Sequence, residues 1–194
     1  MVRLSRIYTR QGDHGDTRLG DMSLVRKTSA RVGAYGEVDE LNAVVGLVRL
    51  HALPEGWDGW LAAIQNDLFD LGADLAVPIG AAEGPDRLRI TPDRVARLEA
   101  WCDLVNEGLE PLNSFVLPGG TAAAATLHHA RTVCRRAERS AVALADAEPL
   151  NPNALAFLNR LSDLLFILAR GANHAEGRQD VLWLPGGGEG RPGA

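Results

Sequence analysis

Residues 131–139 read RTVCRRAER, and they combine an apolar helical repeat with a column of positive charges. Arg131, Arg135 and Arg139 recur every four residues, so an α-helix aligns them in one stripe. The apolar positions of the same segment are Leu127, Ala130, Cys134, Ala137 and Ala141. Their spacing of three and four residues is typical of an amphipathic helix that packs against other helices.

The arginine stripe, formed by Arg131, Arg135 and Arg139, needs neutralisation, because like charges in one column repel each other along a helix. Guanidinium groups are planar, permanently charged and suited to bidentate contact with phosphate oxygens. An anionic ligand, or carboxylates from another element, would supply the opposite charge. The alternative is a solvated basic face with Glu138 as a local partner, of the kind that keeps a protein soluble.

The composition describes an ordinary globular chain with a small negative excess. The 194 residues fit one domain, and a content of 46% hydrophobic and 23% charged residues argues against general disorder. A formal net charge of −5 and only 5% aromatic residues disfavour broad nucleic-acid binding. The arginine stripe is therefore a local basic feature, and it favours a small anionic ligand held in a pocket.

Cysteine and histidine usage argues against several kinds of site. Cys102 and Cys134 both fall on apolar helix positions, which predicts buried thiols in a reducing compartment rather than a disulfide or a metal site. His128 and His129 are adjacent, a spacing that matches no metal cluster. The first residues lack an apolar signal core and no run is long enough to span a membrane. We therefore expect a cytoplasmic protein.

Five amphipathic segments account for most of the chain. They cover about residues 28–51, 57–77, 92–109, 121–145 and 151–176. Thr91 is the expected N-cap of the third segment, with Pro92 at its first helical position. Residues 3–9 and 180–184 are expected to form short extended pieces, and residues 186–194 a frayed tail. The pattern predicts the all-α class, with a single bundle of five helices.

The stretch TRQGDHGDT, residues 9–17, precedes the first helix and is dense in glycine, hydroxyl and charged groups. Glycines let a backbone approach a ligand closely, and successive N–H groups in such turns form anion-binding nests. Asp13 and Asp16 are candidates to face a metal ion. The candidates to face phosphate are Thr9, Arg10, Thr17 and Lys27. The alternative is a flexible arm, and the GK[ST] ending of a Walker A loop is absent.

The first helix contains YGEVDELN, in which Tyr35, Asp39 and Asn42 share a face. A carboxylate at Asp39 requires a cationic partner if it is buried, since an unpaired buried charge is costly. The arginine stripe can supply that partner from the same subunit or from a neighbour. The alternative is an exposed acidic turn through Glu37 and Glu40.

Two further stretches are candidates for ligand contact. In FLNRLSD, Asn159 and Asp163 project together from the fifth helix, where Asn159 can hydrogen-bond a nucleotide and Asp163 can orient an arginine. The alternative is a local Arg160–Asp163 pair on a wet surface. In SFVLPGG, residues 114–120, Phe115 either plugs the end of the bundle or offers an apolar surface to a hydrophobic cofactor near the arginine stripe.

Six blocks of the chain, in order and between residues 7 and 170, resemble the trimeric five-helix family of ATP:cob(I)alamin adenosyltransferases. The blocks are IYTRQGDHGDT, YGEVDELN, IQNDLFDLGADLA, FVLPGG, LHHARTVCRRAER and FLNRLSDLLFILAR. The resemblance implies an N-terminal ATP-binding arm at residues 1–27, a helical adenosyltransferase domain at 28–176 and a C-terminal tail at 177–194. It also implies transfer of the 5′-deoxyadenosyl group of ATP to reduced cobalamin, with inorganic triphosphate leaving.

The resemblance assigns residues to the nucleotide site. The family's N-terminal ATP-binding loop corresponds to Thr9, Arg10, Gly12, Asp13, Gly15 and Thr17. Lys27 corresponds to a lysine that contacts phosphate. Arg135 and Arg139 correspond to arginines of the nucleotide site, with Glu138 between them, and Asn159 corresponds to an asparagine that contacts ATP. A Mg²⁺ ion bound largely through phosphate oxygens accompanies the nucleotide.

The resemblance also places a shared site between subunits. It implies that Asp39 pairs across the subunit interface of a homotrimer with Arg139, and that Phe115 lies beneath the corrin ring. Gln11 departs from the family, which usually has threonine there, so a phosphate hydrogen bond is in question. A flavin reductase and an adenosylcobalamin-dependent enzyme are the expected partners, with no nucleic acid and no membrane.

The residue inventory suits this chemistry, because no convincing nucleophile–base–acid set is present and Co(I) itself is a strong nucleophile. The protein then has to position C5′ and stabilise the departing triphosphate. The alternative is a non-catalytic helical module that binds ATP and delivers or senses cobalamin. A second alternative is an oligomeric scaffold whose arginine stripe merely pairs with a neighbouring helix.

Overall fold

Five helices and one short hairpin make up the fold in a computed structural model that describes residues 8, 10, 12–80 and 87–186. The helices are α1 (Ala30–Val48), α2 (Trp57–Leu75), α3 (Pro92–Asn106), α4 (Ala122–Ala147) and α5 (Pro152–Ala175). The strands are β1 (Asp16–Arg18) and β2 (Leu24–Arg26). The predicted five-helix bundle is confirmed. In the described part of the chain no helix has both the length and the apolar character that a membrane crossing requires.

The core lies around α4, which packs against α1 on one side and α5 on the other. The apolar face predicted from the sequence is buried, and alanines at 130, 137 and 141 let the helix axes approach closely. The facing side of α5 contributes Phe157, Leu158, Leu161, Leu165 and Leu168, all buried. Helix α2 packs on α1, and α3 packs on α5. The positions of the arginine stripe are therefore fixed by the central helix of the bundle.

The helix starts follow from their capping residues. The Ser29 hydroxyl accepts a hydrogen bond from Val32 N at 3.4 Å, and the Thr121 hydroxyl accepts one from Ala124 N at 3.1 Å. Thr91 holds the predicted N-cap position with Pro92 following it, but its side chain makes no capping hydrogen bond. Helix α3 ends at Asn106 rather than at 109, because a turn closed by Gly108 follows.

The sequence did not predict a hairpin that forms just before α1. It is a two-stranded antiparallel sheet at residues 16–26, whereas the expected extended piece at residues 3–9 lies outside the described residues, apart from Tyr8. Thr17 pairs with Val25, and Leu19 N donates to Ser23 O at 2.9 Å across the turn. Three-residue strands carry almost no alternating pattern, so the sequence gives little signal for them.

Two buried polar contacts tie the helix ends together. Arg31 is almost fully buried, and it donates to Glu148 Oε2 at 2.6 Å and to Leu75 O at 2.5 Å. The Asp74 carboxylate is buried as well, and it accepts from Arg89 at 2.6 Å and from Ile90 N at 2.8 Å. These contacts fasten the ends of α1, α2 and α4 to one another at one end of the bundle.

Leu161→Ala is expected to lower the free energy of unfolding by about 2–5 kcal/mol, because it leaves a cavity between α5 and its neighbours. Urea unfolding followed by circular dichroism at a fixed protein concentration measures the change. Leu104→Ala is the matched control, because Leu104 is 58% exposed, and it should change the free energy by no more than about 0.5 kcal/mol. Equal losses in the two variants would contradict the core described above.

Candidate functional site

An open cavity lies between the loop that precedes α4 and the N-terminal half of α4. Its volume is about 660 Å³, within the range of small-molecule sites in proteins. The lining residues are Leu112, Ser114, Phe115, Val116, Pro118, Arg131 and Phe166. The wall is thus mostly apolar, with two aromatic rings and a single guanidinium group. Such a cavity suits a large flat ligand that is largely hydrophobic.

Phe115 does not plug the end of the bundle. Its side chain is 77% exposed, and its ring centroid lies 6.0 Å from that of Trp183. The ring therefore stands at the mouth of the cavity, in line with the prediction of an apolar surface near the arginine stripe.

Arg131 brings a positive charge into this apolar cavity. Its Nε atom is buried and has no hydrogen-bond partner among the described residues. Burial lowers the pKa of the Arg131 guanidinium, and the neighbouring charge of Arg135 lowers it further. A buried N–H group without a partner can be satisfied by an acceptor from a ligand or from another subunit.

His128 contacts Phe166, which lines the cavity. The His128 ring lies 6.0 Å from the Phe166 ring in an edge-on arrangement, and neither of its nitrogens has a hydrogen-bond partner among the described residues. Burial, followed by the charge of Arg131, lowers the pKa of His128. The imidazole is therefore neutral near pH 7, so Arg131 is the cation of this region.

The rest of the arginine stripe faces solvent along α4. Arg135 and Arg139 are exposed, and Arg139 donates to the Arg135 carbonyl at 3.2 Å. No described carboxylate pairs with either guanidinium. The Glu138 carboxylate instead accepts a hydrogen bond from Asn159 Nδ2 at 2.9 Å. The structure therefore brings Glu138 and Asn159 together next to two guanidinium groups that have no carboxylate partner.

Two of the three acidic residues in the YGEVDELN stretch of α1 form ion pairs within the chain. Glu37 and Glu40 both pair with Arg136, which belongs to a different face of α4 from the arginine stripe. Asp39 is exposed between them, and no described cation forms an ion pair with it. Asp39 is thus the acidic residue of this turn that is available to a group outside the chain.

In the described part of the N-terminal arm, cationic side chains bind other residues of the arm. Lys27 Nζ donates to Gly12 O at 2.8 Å, and Arg26 donates to Asp16 Oδ1 at 3.0 Å. Gly15 has a φ of +86°, and a Cβ atom there would lie 2.8 Å from the Arg26 guanidinium. Asp16 is therefore engaged in a partly exposed ion pair, and its role toward a metal ion stays a prediction.

The hairpin of the arm lies at the end of the bundle away from the Phe115 cavity. Gly20 N donates to Ala76 O at 3.0 Å, which places the hairpin beside the C-terminus of α2. The cavity lies at the other end of α4, near its N-terminus. Arg10 stacks over Tyr8 at 5.8 Å, and Asp13 is exposed. Thr9 and Gln11 lie outside the described residues.

The chain matches the model of the cobalamin adenosyltransferase family over residues 7–172. The chain belongs to the cobalamin adenosyltransferase family. It is 54% identical to the corrinoid adenosyltransferase of Mycobacterium tuberculosis over 96% of both chains. It is 50% identical to the cobalamin adenosyltransferase of Cupriavidus metallidurans, over 93% of this chain and 95% of that protein.

A solved structure shares the fold of this cobalamin adenosyltransferase family member. It is a phenylalanine-to-alanine variant of the PduO-type ATP:corrinoid adenosyltransferase from Lactobacillus reuteri, complexed with cobalamin and ATP. The TM-score is 0.86 at 39% sequence identity, and the match covers 92% of this chain and 99% of that one. An arginine-to-lysine variant of the same enzyme, complexed with ATP, matches with a TM-score of 0.85 at 39% identity.

The thiols of this cobalamin adenosyltransferase family member are not nucleophiles. Cys134 is buried and donates to Leu158 O at 3.2 Å, and burial raises the pKa of its thiol far above the ordinary value. Cys102 is only half-buried, contrary to the prediction of two buried thiols, but burial still raises the pKa of its thiol to about 11. Both are therefore thiols rather than thiolates at neutral pH. Within the described ranges no three His, Cys, Asp or Glu side chains are grouped to hold a metal ion.

Two residues that line the cavity of this family member were not predicted to do so from the sequence. Arg131 was assigned to the arginine stripe without a role of its own, although it is the arginine that reaches the Phe115 cavity. Phe166 was not singled out, although it lies seven residues after Asn159 and hence on the same face of α5. The Arg160–Asp163 pair, expected as the alternative for FLNRLSD, is present at 3.4 Å, so Asp163 does not reach the arginine stripe within the chain.

Proposed function

We propose that this chain transfers the 5′-deoxyadenosyl group of ATP to the cobalt of cob(I)alamin, forming adenosylcobalamin and releasing triphosphate. The single observation that carries the proposal is the apolar cavity around Phe115, which opens beside an arginine stripe in a chain of this family. A flat macrocycle and a polyphosphate require that combination of surfaces. Relatives with 50–54% identity are enzymes by name, which favours catalysis over a non-catalytic binding module.

The reaction needs no protein nucleophile. The electron pair of Co(I) attacks C5′ of ATP, the bond between C5′ and the phosphate oxygen breaks, and triphosphate leaves with the bonding pair. Cobalt is oxidised formally from Co(I) to Co(III). The protein contributes alignment of C5′ with cobalt and stabilisation of the charge on the leaving group. Thiols that stay protonated fit such a site, because they do not compete for the electrophilic carbon.

The nucleotide site is proposed along the arginine stripe. Arg135 and Arg139 have no carboxylate partner among the described residues, so their guanidinium groups are free to bind triphosphate oxygens. Asn159, whose Nδ2 donates to Glu138, is proposed to hydrogen-bond the nucleoside. Magnesium enters with ATP as part of the substrate and is held mainly by phosphate oxygens.

The N-terminal arm is proposed to complete the phosphate site. Its glycines and hydroxyls supply backbone N–H and side-chain donors, and Lys27 supplies an ammonium group. The residues proposed to take part are Thr9, Arg10, Gly12, Asp13, Gly15, Thr17 and Lys27. The hairpin of the arm and the Phe115 cavity lie at opposite ends of α4, whose 26 residues span roughly 39 Å. An arm from a neighbouring chain is one way to bring both to one ligand.

Phe115 is proposed to lie beneath the corrin ring. An apolar ring in that position excludes water and the nucleotide base from the lower face of cobalt. Loss of the lower axial ligand makes one-electron reduction of Co(II) easier, so Phe115 would prepare the substrate for reduction to Co(I). Its high exposure and the apolar lining of the cavity support this role.

We propose a homotrimer with a site between neighbouring chains. Asp39 is exposed and has no ion-pair partner among the described residues, and the same is true of Arg139, the cation assigned to it. Arg131 is a second candidate partner, because its buried Nε also lacks an acceptor. The division into an arm (1–27), a bundle (28–176) and a tail (177–194) is retained in this proposal. A cytoplasmic location, a flavin reductase and an adenosylcobalamin-dependent enzyme as partners stay predictions.

Arg135→Ala is expected to lower turnover by roughly 10²–10³-fold, because it removes a cation that stabilises the leaving triphosphate. The assay is anaerobic incubation of MgATP with chemically reduced cobalamin, and absorbance follows the cobalt–carbon product. Arg94→Ala on α3 is the matched control. It also removes one arginine and an ion pair, with Asp67 and Asp70, but lies away from the site. Absence of product from the unmodified protein would overturn the proposed function.

Phe115→Ala is expected to keep ATP binding and to lose the four-coordinate Co(II) signal in electron paramagnetic resonance, because a smaller side chain admits an axial ligand. Phe115→Leu is the control, since it stays apolar and should retain a larger part of the signal. An undiminished signal in Phe115→Ala would remove Phe115 as the group that excludes the lower ligand.

Size-exclusion chromatography with light scattering is expected to give the mass of three chains. Asp39→Arg should weaken the assembly through repulsion, and the double variant Asp39→Arg/Arg139→Asp should restore it. Rescue by Arg131→Asp in place of Arg139→Asp would identify Arg131 as the partner. A strict monomer in the unmodified protein would contradict a site shared between subunits.

A further inference from the structure

The chain reverses direction after α5 and returns to the same helix. Gly177 has a φ of +67°, and Arg178 N donates to Asn173 O at 2.9 Å, a reversal that glycine permits at low cost. The turn brings Asp180 back to Arg170, whose Nε donates to Asp180 Oδ2 at 2.7 Å. Asn173 Nδ2 also donates to Asp180 Oδ1, at 3.3 Å. We name Arg170, Asn173 and Asp180 the polar cluster.

The side chains of the polar cluster are largely buried, and they make hydrogen bonds to one another and to the backbone. The side chains of Arg170 and Asp180 are only 7% and 13% exposed, and Arg170 also donates to Glu110 O at 2.7 Å. An ion pair at this depth holds its geometry firmly, because separating the partners leaves an uncompensated charge. The segment that follows Asp180 is therefore anchored at its first residue.

Asn173 connects the polar cluster to the loop that carries Phe115. Its Oδ1 accepts from Thr121 N at 2.9 Å, and its Nδ2 donates to Gly119 O at 3.3 Å. Gly120 has a φ of +107°, and a Cβ atom there would lie 2.1 Å from Asn173 Oδ1. The amide thus packs directly against the glycine backbone and fixes the C-terminal end of the loop at the start of α4.

The anchored segment binds the other part of the loop. Leu117 N donates to Val181 O at 2.8 Å, and Trp183 N donates to Phe115 O at 2.7 Å. The Ser114 hydroxyl donates to Trp183 O at 2.8 Å. The backbone of Phe115 is therefore hydrogen-bonded to a segment whose own position depends on Asp180.

We propose that the polar cluster positions Phe115 for the reaction, so that Arg170, Asn173 and Asp180 are positioning residues of the corrinoid site. The inference rests on the proposed role of Phe115. The Phe115 side chain is exposed, so core packing does not determine where it lies. Its place is determined by the backbone of residues 114–120, which is held at one end by Asn173 and along its length by the segment that Asp180 anchors.

The test uses the full chain with Asp180→Asn, which preserves size and removes the charge that binds Arg170. Amide hydrogen exchange of residues 114–118 should become at least about tenfold faster, since the loop opens more often. The four-coordinate Co(II) signal should fall, and the Kd for MgATP should change by less than about twofold. Turnover that starts from cob(II)alamin and a reductant should fall more than turnover that starts from chemically reduced cob(I)alamin.

Asp58→Asn is the matched control, because it also removes a carboxylate from an arginine pair, at the start of α2, and it should leave all four readouts unchanged. If Asp180→Asn does not fold, Ser114→Ala removes one hydrogen bond of the same ladder and should accelerate exchange at residues 114–118 and 181–183 in the same direction.

Unchanged exchange and an unchanged Co(II) signal in a folded variant would overturn the proposal. Loss of the signal in Phe115→Ala together with its retention in Asp180→Asn would overturn the polar cluster alone and leave the proposed function intact. Retention of the signal in both variants would overturn the role of Phe115 and, with it, the positioning role.

Discussion

Close packing of α4 between α1 and α5 is the constraint on which the rest of the structure depends. A face of alanine and cysteine allows the helices to approach, and the large side chains of α5 fill the space on the other side. Because 3.6 residues make a turn, burying Ala130, Ala137 and Ala141 turns the arginine stripe toward the rim of the bundle. The same packing holds Glu138 against Asn159, so the core and the proposed nucleotide site depend on one helix pair.

The two candidate binding surfaces are built differently. The arginine stripe lies on a regular helix, where side-chain positions follow from helical geometry and require little further support. The Phe115 cavity is bounded by irregular backbone, which has no intrinsic geometry and depends on hydrogen bonds from elsewhere in the chain. The half-buried Arg131 joins the two surfaces, since it belongs to the stripe and lines the cavity. A reaction that brings a polyphosphate and a macrocycle together requires such a junction.

Most of the bundle could be predicted from the sequence, because helices of 15–26 residues repeat their apolar pattern several times. Their ends agree with the predicted ends to within a few residues, and Ser29, Thr121 and Asn151 mark three of the starts. The hairpin at 16–26 was missed, since strands of three residues offer no period and the turn depends on Met22 at a φ of +71°. The contact of Asp180 with Arg170 was also beyond prediction, because it requires a reversal whose direction no local pattern specifies. Arg131 was visible as a cation, but only the loop before α4 shows that it borders an apolar cavity.

The distance between the axes of α4 and α5 determines how far the arginine stripe lies from Asn159. Ala130, Ala137 and Ala141 are fully buried on α4, and their small side chains let the neighbouring helices approach closely. A larger side chain at one of these positions pushes the helices apart and displaces the arginine stripe relative to Asn159. Such a variant can remain folded and soluble while its arginine stripe and Asn159 are misaligned. Fewer substitutions in this core are therefore compatible with activity than with folding.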